Sequence, residues 1–85
     1  MSYYVYILQS LKDKSLYIGY TSNLKKRLEE HNSGKNIATK PHIPYKLIFY
    51  EAFLNSIDAK NREKYLKGGY GRKTINKMLG KYFKK

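Results

Sequence analysis

The chain has no cysteine and no tryptophan, and only six acidic residues among 85. Without cysteine there can be no disulfide and no thiolate metal site, a pattern that suits a cytoplasmic protein. No apolar run approaches the roughly 18 residues that a membrane span requires, so no membrane partner is expected. The N-terminus has no basic stretch followed by an apolar one and does not read as a signal peptide. Internal repeats, low-complexity tracts and separate linkers are missing as well. A length of 85 residues gives one small domain, 1–85, with a thin core.

The shortage of acids is also an excess of bases. Eighteen Lys and Arg leave a net charge of +12. So basic a small domain repels itself, and the charge points to an anionic partner, with nucleic acid first. An acidic membrane surface or an acidic protein would answer the same charge. Ten tyrosines and three phenylalanines add faces on which bases could stack, although each ring taken singly reads as core or sheet packing.

Residues 3–9 are β-branched and aromatic and predict a strand. Residues 16–20 predict its hairpin partner. Thr21 or Ser22 is placed to cap a helix running to about Asn32, with Gly34 as its stop. Residues 35–44 form a basic loop containing both prolines. Residues 45–54 are apolar on both alternating faces except for Lys46 and Glu51, which predicts a central strand covered on both sides. Ser56 is expected to cap a second helix ending near Lys67, before a glycine-rich turn. A third helix is expected over 72–83, with Ile75, Met78, Leu79 and Tyr82 inward and Lys73, Lys77 and Lys81 as an outer basic ridge. The order is ββαβαα. It predicts an α/β (α+β) sandwich in which a small three-stranded antiparallel sheet is flanked by three helices.

Two helices put charge on their apolar stripes. At 100° per residue, Leu24, Arg27, Leu28 and His31 share one face of the first helix, opposite Lys25, Lys26, Glu29 and Glu30. A buried arginine is costly unless paired, so the lip of a groove facing an anion is the expected place for Arg27. His31, taken alone, reads first as a hydrogen-bonded histidine near a helix end. In the second helix Ala59, Arg62, Glu63 and Leu66 form the inward stripe. Glu63 there would pair with Arg27 or Arg62, sit at an edge, or hold a metal. Glu51 is expected at an edge or in a structural bond. His42 has no spaced partner, and no His or Cys cluster suggests zinc.

These residues resemble a known family. Tyr17-Ile18-Gly19 is the second signature of the GIY-YIG nucleases, and Tyr4-Val5-Tyr6 stands where the first belongs, eleven residues upstream from tyrosine to tyrosine. Arg27 follows Tyr17 by ten, and Glu63 lies on the next long helix after the third strand. The chain resembles small stand-alone members related to the N-terminal nuclease domain of the excision-repair incision subunit. It departs from the pattern in having Tyr4 where the first signature has glycine.

The resemblance implies a metal-dependent DNA endonuclease, structure- or strand-selective rather than sequence-specific. It implies Glu63 as the ligand of one Mg²⁺ or Mn²⁺ and Arg27 as the clamp on the scissile phosphate. It makes Tyr6 or Tyr17 the base and His31 a proton relay. Lys35, Lys40, Arg72, Lys73, Lys77 and Lys81 would hold the backbone without reading bases. DNA is the expected partner, with RNA also compatible. With no second domain in view, a separate protein is the expected source of substrate specificity. The same scaffold could also serve as a non-catalytic nucleic-acid binding module.

Overall fold

A computed structural model describes residues 1–84. Two strands come first, β1 (Tyr3–Ser10) and β2 (Leu16–Thr21), followed by α1 (Leu24–Asn32). A short 3₁₀ turn, Lys40–His42, leads to β3 (Tyr45–Phe53), and then come α2 (Ser56–Lys67), α3 (Gly71–Met78) and α4 (Gly80–Phe83). The expected ββαβαα arrangement on a three-stranded antiparallel sheet is present. The single expected third helix is instead two: the backbone leaves helical geometry at Leu79 (φ −113°, ψ 24°), just before Gly80.

The β1–β2 turn is organised by one small side chain. Ser10 is fully buried, and its hydroxyl accepts from the backbone N–H groups of Lys12 and Asp13 at 3.0 and 3.1 Å. It donates to the His42 carbonyl at 2.6 Å, which ties the hairpin to the segment before β3. His42, expected to have no partner, lies 2.6 Å from the Asp13 carboxylate, a pairing across 29 residues that local sequence cannot announce. The Ser15 hydroxyl and backbone N–H, and then His42, hold the Asp13 carboxyl well below the usual range.

The strand order is β2-β1-β3, so β1 is central and β3 lies at an edge, contrary to expectation. Six consecutive β1 residues, Val5 through Ser10, are buried, whereas Tyr50 of β3 is half exposed. β1 and β3 are antiparallel, with a bulge between the pairs Ile7–Phe49 and Leu8–Leu47. The extra residue, Ile48, shifts the alternation of β3 by one step. Tyr50, on one side of it, and Leu47 and Tyr45, on the other, therefore share the Tyr6 face.

Each face of the sheet has its own core. One joins Val5 and Ile7 to Ala59 and Leu66 of α2 and Ile75 of α3, with Ile18, Phe49, Phe53 and Phe83 packed around them. The other joins Tyr6, Leu8 and Tyr45 to Tyr17 and to Leu24 and Leu28 of α1.

The helix starts differ by one residue from expectation. Asn23, in extended geometry, accepts from the Lys26 N–H and caps α1, while Thr21 and Ser22 precede the cap. Asn55 caps α2 through the N–H groups of Ile57 and Asp58, leaving Ser56 inside the first turn. Gly34 stops α1 as expected. Its φ is +81°, and its N–H reaches back to the His31 carbonyl at 3.3 Å.

Candidate active site

The antiparallel register sets Tyr6 opposite Gly19. The Tyr6 ring lies across that glycine, and a Cβ at position 19 would collide with ring carbon Cζ and the hydroxyl. The glycine is thus the space the tyrosine occupies.

The Tyr6 hydroxyl is 3.0 Å from His31 Nε2, and His31 Nδ1 is 2.9 Å from the Thr39 hydroxyl. Thr39 continues to the Asn36 carbonyl at 3.4 Å. Tyr6 is 2% exposed, and His31 and Thr39 are fully buried. Burial, and next the charge of Arg27, push the His31 pKa down, which favours the neutral imidazole. A neutral ring satisfies every group when Tyr6 donates to Nε2 and Nδ1–H donates to Thr39. Burial, and next Tyr17, push the Tyr6 phenol well above its ordinary value.

His31 is therefore the hydrogen-bonded histidine near a helix end and not a groove-lip cation. It sits under Tyr17, with ring centroids 4.8 Å apart, and beside Tyr45 at 6.3 Å. Burial likewise pushes the Tyr45 phenol up.

Arg27 does occupy a lip. Its guanidinium is 3.5 Å from Glu30, and its side chain is about 40% exposed. It lines a depression of about 170 Å³ with Glu30, His31, Lys35 and Asn36. It also lines an open polar hollow of about 300 Å³ with Thr21, Ser22, Asn23, Lys26 and Glu30.

Glu63 pairs with neither Arg27 nor Arg62. Its carboxylate is 2.7 Å from Lys67 Nζ, one helical turn on. Arg62 instead makes two hydrogen bonds to Glu51, at 2.8 and 3.3 Å, and Glu51 is thus in a structural bond, as expected. The Tyr6 phenol nonetheless feels Glu63, Arg27 and Tyr17 together: Glu63 and Tyr17 disfavour its anion, and Arg27 favours it.

The basic residues divide. Lys35 lies in the Arg27 depression, and Arg72 lines a cleft of about 310 Å³ with Tyr17, Leu66, Lys67 and Ile75. Lys40 packs its stem against Gly34, and Lys73 is exposed on α3. Lys77 and Lys81 line a separate hollow with Met78 and Tyr82, which shares no residue with the Tyr17 cleft.

Among the described residues, no three His, Asp or Glu side chains gather as a metal cage. One partly exposed carboxylate fits a magnesium-type ion, because such ions keep several waters and need few protein ligands. Thr39, the Asn36 carbonyl it reaches, and Tyr45, whose ring lies beside His31, were not legible as parts of the site. They lie in or beside a basic loop without periodicity.

The GIY-YIG catalytic domain model matches residues 2–76. A UPF0213 protein of Clostridium perfringens is 48% identical over 65 residues, covering 75% of this chain and 69% of that one. One from Streptococcus pyogenes serotype M3 is 42% identical over 77 residues, covering 89% of this chain and 79% of its own length. The solution NMR structure of a UPF0213 protein from Bacillus halodurans superposes with a TM-score of 0.57 at 35% identity, covering 92% of this chain and 83% of that one. No described helix is long and apolar enough to cross a membrane.

Proposed function

The chain belongs to the GIY-YIG catalytic domain family, and from that premise we propose that residues 1–85 form one divalent-metal-dependent endonuclease domain. It hydrolyses phosphodiester bonds in DNA and selects by structure or strand rather than by sequence. The observation that carries this reading is the grouping of Tyr6 and Tyr17, ring centroids 6.4 Å apart, over His31, with Arg27 at the adjoining lip.

Glu63 is the residue that would hold Mg²⁺ or Mn²⁺. Once bound, the ion would polarise the scissile phosphate and steady the leaving oxygen. Arg27, at the lip, binds the phosphate with a planar fork of donors. Tyr17, partly exposed and lining an open cleft, is the tyrosine that water reaches, so as the phenolate it would take the proton of the attacking water and become the phenol. Tyr6 is enclosed, and its proton is held by His31. It positions the other groups, and the neutral His31 gives it a place to pass a proton. Arg72 lies beside Tyr17, and Lys35 beside Arg27. With Lys40 and Lys73 they hold the backbone near the cut, while Lys77 and Lys81 hold it further away. We propose further that it nicks DNA during repair in the cytoplasm, with a partner protein delivering the substrate.

A second reading is a binding module on the same scaffold, compatible with RNA as well as DNA. One observation favours it: the Lys67 ammonium already neutralises Glu63. The test is a panel of single-stranded, nicked and branched DNA with Mg²⁺ or Mn²⁺, run on wild type and Glu63→Ala. Cleavage that Glu63→Ala abolishes supports the nuclease. Steeply salt-dependent binding without product, retained in Glu63→Ala, supports the module.

A further inference from the structure

Tyr4 and Tyr50 lie on the same side of the sheet as Tyr6. Tyr4 is two residues from Tyr6 along β1, about 7 Å away, and Tyr50 is directly opposite Tyr6 in β3. Their rings meet edge to face, with centroids 6.0 Å apart and planes at 67°. That contact leaves Tyr50 54% exposed and Tyr4 half-buried, although the β1 residues from Val5 onward are buried. The α1 core on this face, built on Tyr6, Leu8 and Tyr45, includes neither ring. An aromatic pair with one open ring, Tyr50, and one half-buried ring, Tyr4, therefore continues the face on which the proposed chemistry sits.

The surroundings identify what it would bind. In the other register Tyr4 is opposite Thr21, and Thr21 lines the open polar hollow with Lys26 and Arg27. A phosphate held by those two cations would leave its attached base beside the tyrosines. The whole chain carries +12, so an anionic strand suits it. A base in a duplex is covered above and below by its neighbours, and only an unpaired base presents a free face to a ring.

We infer that Tyr4 and Tyr50 form a stacking platform for one unpaired nucleobase of a single-stranded nucleic acid, next to the phosphate held at Arg27. This inference rests on the nucleic-acid reading above and deepens it by naming the substrate class. Position 4, where the family signature carries glycine, is thereby given to substrate selection.

The test is binding without metal. Fluorescein-labelled oligothymidylate and an all-abasic strand of equal length are titrated in EDTA at fixed salt and followed by anisotropy. Wild type is expected to prefer the oligothymidylate by about tenfold or more. Tyr50→Ala should lose most of that preference while binding the abasic strand unchanged. Tyr50→Phe, which keeps the ring, should retain it. A thermal melt confirms that both variants fold, as an exposed edge-strand position allows. Equal affinity for the two strands, no binding of either, or an unchanged preference in Tyr50→Ala overturns the platform. Base preference in EDTA with no nicking in any metal overturns only the nuclease reading. Nicking without base preference overturns only the platform.

Discussion

The two faces of the sheet bury different chemistry. Under α2 and α3 the core is hydrocarbon: Val5, Ile7, Ala59, Leu66 and Ile75, with phenylalanines around them. Under α1 the enclosed groups include Tyr6, His31 and Thr39, with Ser10 and Thr21 on the same strand face. Among the described residues, no buried side-chain nitrogen or oxygen lacks a hydrogen-bond partner. A chain this small can support only a thin core. One face carries most of the apolar burial, and the other holds polar side chains in fixed places at little net gain in stability.

The contrast can be broken from either side. Leu66→Ala, on the hydrocarbon face, should have the largest effect on stability, a loss of about 3 kcal/mol. It would be read as a lower denaturant midpoint with an unchanged slope. Gly19→Ala should cost about 2 kcal/mol, because the new methyl displaces the Tyr6 ring. Its distinguishing mark is loss of strand cleavage under conditions where circular dichroism shows the variant still folded. Equal activity in Gly19→Ala and wild type would mean that the Tyr6 ring has no fixed role.

His31→Leu should cost roughly 1–2 kcal/mol, since the Tyr6 hydroxyl loses its buried acceptor. It should also change the pH response. The His31 pKa is depressed in the folded chain relative to its ordinary 6.5. The unfolded chain therefore binds the proton first, and stability present above pH 6.5 is lost as pH falls below it. In His31→Leu that part of the acid slope should disappear from urea midpoints measured between pH 7 and 5. The smallest effect belongs to the caps. Asn55→Ala should cost about 1 kcal/mol and Ser56→Ala much less, as thermal melts of the two variants would show.

Much of this was legible in the sequence. Strand and helix periodicity placed the elements, and the wheel put Arg27 and His31 on the leucine stripe of α1. The misses have physical causes. Three cap-competent residues stand in a row at Thr21-Ser22-Asn23, and only the backbone decides which one faces the free N–H groups. Strand order is non-local, so the apolar character of β3 could not show that β1 lies between its neighbours. His42 finds Asp13, and Arg62 finds Glu51, across separations that no local pattern reports. Thr39 read only as part of a basic loop because its partner, His31, comes from a different element.

The bulge beside Ile48 acts on β3 as a frameshift acts on a message. Upstream of it, Tyr45 and Leu47 are set in one phase, and beyond it Tyr50 is set in the other, so all three address the same face. Deleting Ile48 would leave the composition of the strand almost untouched and still turn Tyr45 and Leu47 toward α2, or else Tyr50 away from Tyr6. Length alone, with no change of residue type, can thus decide which side chains of this strand share a surface with Tyr6.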